Sequence, residues 1–213
     1  MRMLRNGGAV PAPRISTFGN SGLAFDSTRF DTYSIAGTTS QYQFFKNGQS
    51  QKTPALTNME DNGQFPSGVA FLIQQIGIRL SVFVGGTVNA NDTMDTVRKF
   101  IDQSSLTMNV VGFQNMGTWP LVEWFAQTSY QASTAGNSPI FSSEAQWKNL
   151  RSPIPLQPRA LFSLDLAYNT APTGTPGTTA NDSYASVLSS LDSTDVQVRV
   201  QVLIKGMETR RGA

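Results

Sequence analysis

An all-β chain folded as an antiparallel sandwich is what this sequence predicts, on three observations. Two long segments, Phe71–Val84 and Val196–Lys205, alternate apolar and polar residues with a period of two. Stretches rich in Gly, Pro, Thr and Asn separate the segments that read as strands. Only one segment, Asp92–Asp102, carries apolar residues at helical spacing. A period of two sends alternate side chains to opposite faces of a sheet, so one face enters a core and the other meets solvent or a neighbour.

In chain order, residues 1–22 hold Arg2, Arg5 and Arg14 and no acid, with Gly7, Gly8, Pro11 and Pro13 breaking regular structure. They read as an extended N-terminal arm. Gln41–Lys46 is an aromatic-rich strand, stopped by the turn dipeptide Asn47-Gly48. Thr53–Gly68 is a long polar connection. In Phe71–Val84 the even positions Leu72, Ile76, Ile78, Leu80, Val82 and Val84 form the apolar face, and Gln74 alone breaks it. Asp92–Asp102 is the one short helix, with Asp92 or Thr93 as its cap and Met94, Val97, Phe100 and Ile101 facing inward.

Leu106–Phe113 alternates again, and Trp119–Ala126 opens on an aromatic-proline pair. Gln146–Pro158 contains Pro153, Pro155 and Pro158, which confine it to a sheet edge. Ala160–Tyr168 sets Phe162, Leu164, Leu166 and Tyr168 on one face, and Asn169–Ser183 is a Thr/Gly/Pro-rich excursion. Val196–Lys205 is the cleanest strand and, at ~3.3 Å per residue, spans roughly 30 Å. Seven or eight strands with long loops, and no cysteine pair of the immunoglobulin kind, point to a single jelly roll over residues 23–213.

Composition narrows the chemistry. The 213 residues contain no His and no Cys, so Ser-His-Asp and Cys-His nucleophiles and imidazole or thiolate metal sites are excluded in their usual form. Charged residues make up 14% of the chain, and the formal net charge is +2. A surface built from amides and hydroxyls suits close packing against neighbours, where charge would have to be desolvated. No apolar run is long enough for a membrane-spanning helix, and the N-terminus lacks the apolar core of a secretory signal.

Glu123 and Asp165 are the acids set in apolar, strand-like surroundings, the minimum for a carboxylate-pair glycosidase. Alternation explains each more simply, as a solvent-side or interface residue. Trp119, Trp124 and Trp147 could stack on sugars, although their apolar neighbours favour core positions. No catalytic residue, cofactor or metal is expected.

The order of short motifs resembles the jelly-roll structural proteins of tailless bacteriophages. It is carried by Tyr42-Gln43-Phe44-Phe45, then Thr57-Asn58-Met59 with Gly63-Gln64-Phe65-Pro66, then Phe71–Val84, Trp119-Pro120-Leu121 and Gly206 through Arg210. It covers residues 40–211 loosely and departs from the pattern around Asn169–Ser190. The resemblance implies a self-assembling virion shell protein without catalysis, made in the host cytoplasm, whose partners are copies of itself and other capsid proteins. In that reading Arg2, Arg5 and Arg14 touch neighbours or, weakly, nucleic acid. The alternative is a virion decoration or glycan-binding sandwich.

Overall fold

A computed structural model of the chain describes residues 22–36, 39–84, 90–125, 139–142, 145–168 and 196–211. Among the described residues nine strands and two helices follow in order: β1 (Gly22–Ser34), β2 (Gln41–Phe44), β3 (Val69–Val84), α1 (Ala90–Gln103), β4 (Ser104–Val110), β5 (Phe113–Pro120), α2 (Val122–Phe125), β6 (Pro139–Ser142), β7 (Gln146–Leu156), β8 (Phe162–Tyr168) and β9 (Val196–Arg211). One sheet runs β1-β9-β3, with the far edge of β3 shared by β7 and β6. The other runs β2-β8-β4-β5. Every pairing is antiparallel.

The two sheets and α1 enclose one core. Ile76, Ile78, Leu80 and Val82 of β3 and Val198, Val200, Val202 and Ile204 of β9 enter it from the first sheet. Leu106 and Met108 of β4, with Phe162, Leu164 and Leu166 of β8, enter it from the second. Val97, Phe100 and Ile101 of α1 join them. Each such side chain contributes about 1.5–3 kcal/mol by leaving water, so the alternating pattern is what binds the sheets together. The all-β expectation and these inward faces agree with the structure.

Several expectations change. The even face of Phe71–Val84 holds only from Ile76 onward, because β3 is bulged between Ile73 and Gln75 against both β7 and β9. Gln74 is the extra residue, exposed, and before it Phe71 and Ile73 point inward instead. Opposite the bulge lies Gly206, where a Cβ would stand 1.8 Å from the Leu72 carbonyl oxygen. That glycine lets β9 run on to Arg211, six residues past the strand end expected at Lys205.

The aromatic strand ends at Phe44, before Asn47-Gly48. Phe45 turns the chain with a φ of 67°, its ring fully buried. The polar connection Thr53–Gly68 carries Met59 and Phe65 into the core. The helix begins at Ala90, so Asp92 and Thr93 lie inside it and neither is its cap. The expected single short helix becomes two among the described residues, since Val122–Phe125 of the Trp119–Ala126 segment is helical. Leu106–Phe113 is two strands joined by Val111-Gly112, with Gly112 at a φ of 90°. The proline-bearing segment is an extended edge strand, β7, as its composition requires.

Candidate functional site

The outer face of the β2-β8-β4-β5 sheet carries a cleft of about 490 Å³ at the end where four loops meet. Its loops are stitched together by backbone. Val111 N–H donates to the Leu161 carbonyl (2.9 Å), Phe162 N–H to Gly63 (2.8 Å) and Gly63 N–H to Phe45 (2.8 Å). Val111 and Leu161 form an exposed apolar rim, 68% and 49% accessible. Gln43, Lys46, Asn62, Asn109 and Ser163 supply the polar lining.

Behind that lining stands Asp165 of β8, on the outward face with Ser163 yet only 9% exposed. Its Oδ2 accepts from Asn109 Nδ2 at 2.9 Å and from Gln43 Nε2 at 3.5 Å. Its Oδ1 is buried with no partner among the described residues. An ionised carboxylate only accepts, so the amides of Gln43 and Asn109 must turn their NH2 groups toward it and their oxygens away. Gln43 Oε1 in turn accepts from Lys46 Nζ. Asn62 is oriented separately, its Oδ1 accepting from Gly48 N–H at 2.6 Å.

Two ionic clusters lie along β1. Asp31, fully buried, accepts from Phe45 N–H (2.7 Å), Lys52 Nζ (2.7 Å) and Thr32 N–H (3.1 Å). Lys52 also lies 3.3 Å above the Tyr33 ring. Burial pushes the Asp31 carboxyl above its ordinary range, and the hydrogen bonds from Lys52 and Phe45 offset this only in part. Burial likewise pushes Lys52 down, with Asp31 opposing it. Glu208 is gripped by Arg29 (2.6 Å) and Arg210 (2.7 Å). Burial alone would raise its carboxyl, but hydrogen bonds from Arg210 and Arg29 outweigh burial and hold it below the ordinary value. These clusters fasten β1 and the 45–68 connection to β9. Their charges are spent on one another, which marks them as structural.

The two acids singled out in the sequence are not brought together. Glu123 sits on α2 and pairs with Lys148 of β7, beside the five-stranded sheet. Asp165 lies in the other sheet, with Asn109 and Gln43 as its company. A carboxylate pair flanking one bond therefore has no geometry here. Among the tryptophans, Trp124 is core, with its indole N–H donating to the Ile76 carbonyl at 3.2 Å. Trp119 packs edge-on to it at 6.3 Å. Trp147 is 39% exposed and lies against Gly77, where a Cβ would come within 2.8 Å of the indole. Arg2, Arg5 and Arg14 and the 169–183 loop fall outside the described residues.

The cleft was not legible beforehand. Gln43, Lys46, Asn62, Asn109 and Leu161 come from four separate segments, and nothing in their order announces that they converge. Only the outward position of Asp165 could be read, from the alternation of β8.

No protein-family model matches the chain, and no curated protein matches it. Among solved structures it aligns with the crystal structure of the infectious bursal disease virus VP2 subviral particle at 13% identity and a TM-score of 0.17. That alignment covers 84% of this chain and 40% of the other, so the chain spans less than half the length of that protein. A superposition this loose carries no argument about fold or function.

Proposed function

We propose that this chain is a single jelly roll acting as a structural subunit of a virion shell, with no catalytic step of its own. The observation that carries the reading is the order of strand pairing. The outermost strands pair, β1 with β9, then β2 with β8, then β3 with β7 and β6, and innermost β4 with β5. A long antiparallel hairpin rolled on itself produces this nesting, and the β9–β3 and β8–β4 pairings then close its two sheets. Two nested Greek keys of this kind build viral capsid domains, lectins and cupins. A fold shared so widely does not settle function, so the residues must choose.

They favour assembly. The absence of His leaves a cupin without imidazole ligands, the sparse charge suits extensive contact, and β1 presents Leu23 (75% exposed) and Phe25 on a sheet edge. Rigid sandwiches repeated by symmetry gain shell stability from many weak contacts. In this proposal residues 1–22 are an arm and residues 23–213 the jelly roll. Arg2, Arg5 and Arg14 reach neighbouring subunits or, weakly, the genome, and the protein resides in the virion. The resemblance to tailless-phage shell proteins points the same way.

Sedimentation of the purified chain at low and high salt, with electron microscopy of fast-moving species, tests the reading. Discrete trimers, pentamers or shells are expected. A strict monomer at every concentration overturns self-assembly, and unchanged assembly after deletion of residues 1–14 removes the role of the arm.

A further inference from the structure

We propose that the open edge of β1 over residues 22–28 pairs with the same edge of a second copy of this chain, antiparallel, across a two-fold axis at Phe25. The inference deepens the self-assembly reading, on which it rests, by naming one contact and its register. Residues of an antiparallel strand alternate between bonding one neighbour and turning both N–H and C=O the other way. In β1 the even positions turn away from β9. Phe30 N–H donates to Asn58 Oδ1 (2.7 Å), and its carbonyl accepts from Asn58 N–H (3.3 Å). Thr32 N–H donates to Asp31 Oδ1 (3.1 Å), and its carbonyl accepts from Lys52 Nζ (3.3 Å). Asn58 Nδ2 reaches back to the Thr28 carbonyl at 2.9 Å, and there the cover stops. The N–H and C=O of Ala24 and Asp26 point to the same side with no partner among the described residues.

Bare sheet edges are normally blunted by proline, charge or a bulge. Edge strand β7 carries Pro153 and Pro155. Residues 22–28 contain no proline, a single charge at Asp26, and an unbroken register with β9. Their core-side face is apolar and uncovered, Leu23 being 75% and Phe25 41% exposed. A second copy fits because this stretch is complementary to itself. Its limits are Gly22, where β1 begins, and Thr28, where Asn58 takes over, and its midpoint is Phe25. Pairing about that midpoint brings Ala24 opposite Asp26 of the partner subunit, so the unclaimed backbone groups bond one another in both directions. It also sets Phe25 against the partner's Phe25 as a non-hydrogen-bonded pair, the closer kind, on the apolar face. A register centred on Asp26 would instead oppose two carboxylates, which is destabilising.

The test is sedimentation of the full chain across a dilution series. Phe25→Lys and Phe25→Glu each place like charges on the axis, at a position exposed in the monomer. Each alone should weaken association at least about tenfold, and an equimolar mixture of the two should restore it. Ala24→Pro, which removes an N–H aimed at the partner and none bonded to β9, should weaken it likewise. A nitroxide on Thr28→Cys, in a chain with no other cysteine, should report a spin–spin distance of about 20 Å, six residues at ~3.3 Å apiece. Association of Phe25→Lys equal to the parent's overturns this contact and leaves the shell reading standing. So does a mixture that fails to recover, the outcome expected if residues 1–21 and not a second β1 lay along the edge. A strictly monomeric parent overturns both.

Discussion

Asp31 shows how little a buried ion pair contributes and how costly it is to break. Its carboxylate holds Phe45 in a left-handed conformation and anchors Lys52, yet burial works against the charge on both partners. Removing one member strands the other, at roughly 3–5 kcal/mol, whereas replacing both by uncharged residues of similar shape is far milder. Asp31→Asn in urea unfolding should therefore lose more stability than Asp31→Asn combined with Lys52→Met. If the double variant is the weaker, the pair is net stabilising and this account fails. Glu208 behaves oppositely with pH. Its carboxyl is held below the ordinary 4.5, so the unfolded chain takes up the proton first as pH falls. The stability it contributes is complete above 4.5 and disappears as pH drops through the folded value. Comparing the parent with Glu208→Gln across that range should show an advantage at neutral pH that closes in acid. An advantage that grows in acid would contradict it.

At the scale of the element, β3 and β9 explain one another. A one-residue shift exchanges the two faces of a strand, so the bulge at Gln74 swaps which parity of β3 is buried. Gly206 is the partner feature, a point where β9 passes too close to Leu72 for any side chain. Gly206→Ala should cost at least about 1–3 kcal/mol, the usual range for overpacking, and lower the melting temperature accordingly. A neutral result would mean that the approach relaxes freely. Alternation made β4, β8 and most of β9 legible from residues alone. It could not reveal β1, whose inward positions Ser27, Arg29 and Asp31 are polar, Arg29 and Asp31 forming ion pairs where a hydrophobic face would be expected. Nor could it separate β5 from α2, because Trp119-Pro120-Leu121-Val122 is dense in large side chains under either structure.

For the molecule as a whole, the nested order sets the folding problem. The β4–β5 hairpin closes through two residues, while β1 pairs with β9 from Gly22↔Arg211 inward, across almost the whole chain. Closing long loops costs entropy before any contact offsets it, and folds dominated by such pairings take milliseconds to seconds. Pulse-labelling hydrogen exchange should protect amides of β4 before those of β1. Simultaneous protection would argue for a nucleus built on the outermost pair. The same nesting brings residues 43, 46, 62, 109 and 161 to one end of one sheet, so the cleft is a product of topology.

The sequence by itself determined the all-β class, the inward faces of β4, β8 and β9, the edge position of the proline-bearing strand and the exclusion of histidine and cysteine chemistry. These follow from period, side-chain type and missing donors, which are local quantities. Only the tertiary structure decided the strand order, the swap of parity at Gln74, the ion pairs of β1, the separation of Glu123 from Asp165 and the convergence of the cleft. Each of those depends on which distant segments lie side by side, and a pattern with a period of two says which way a residue faces but not what it faces.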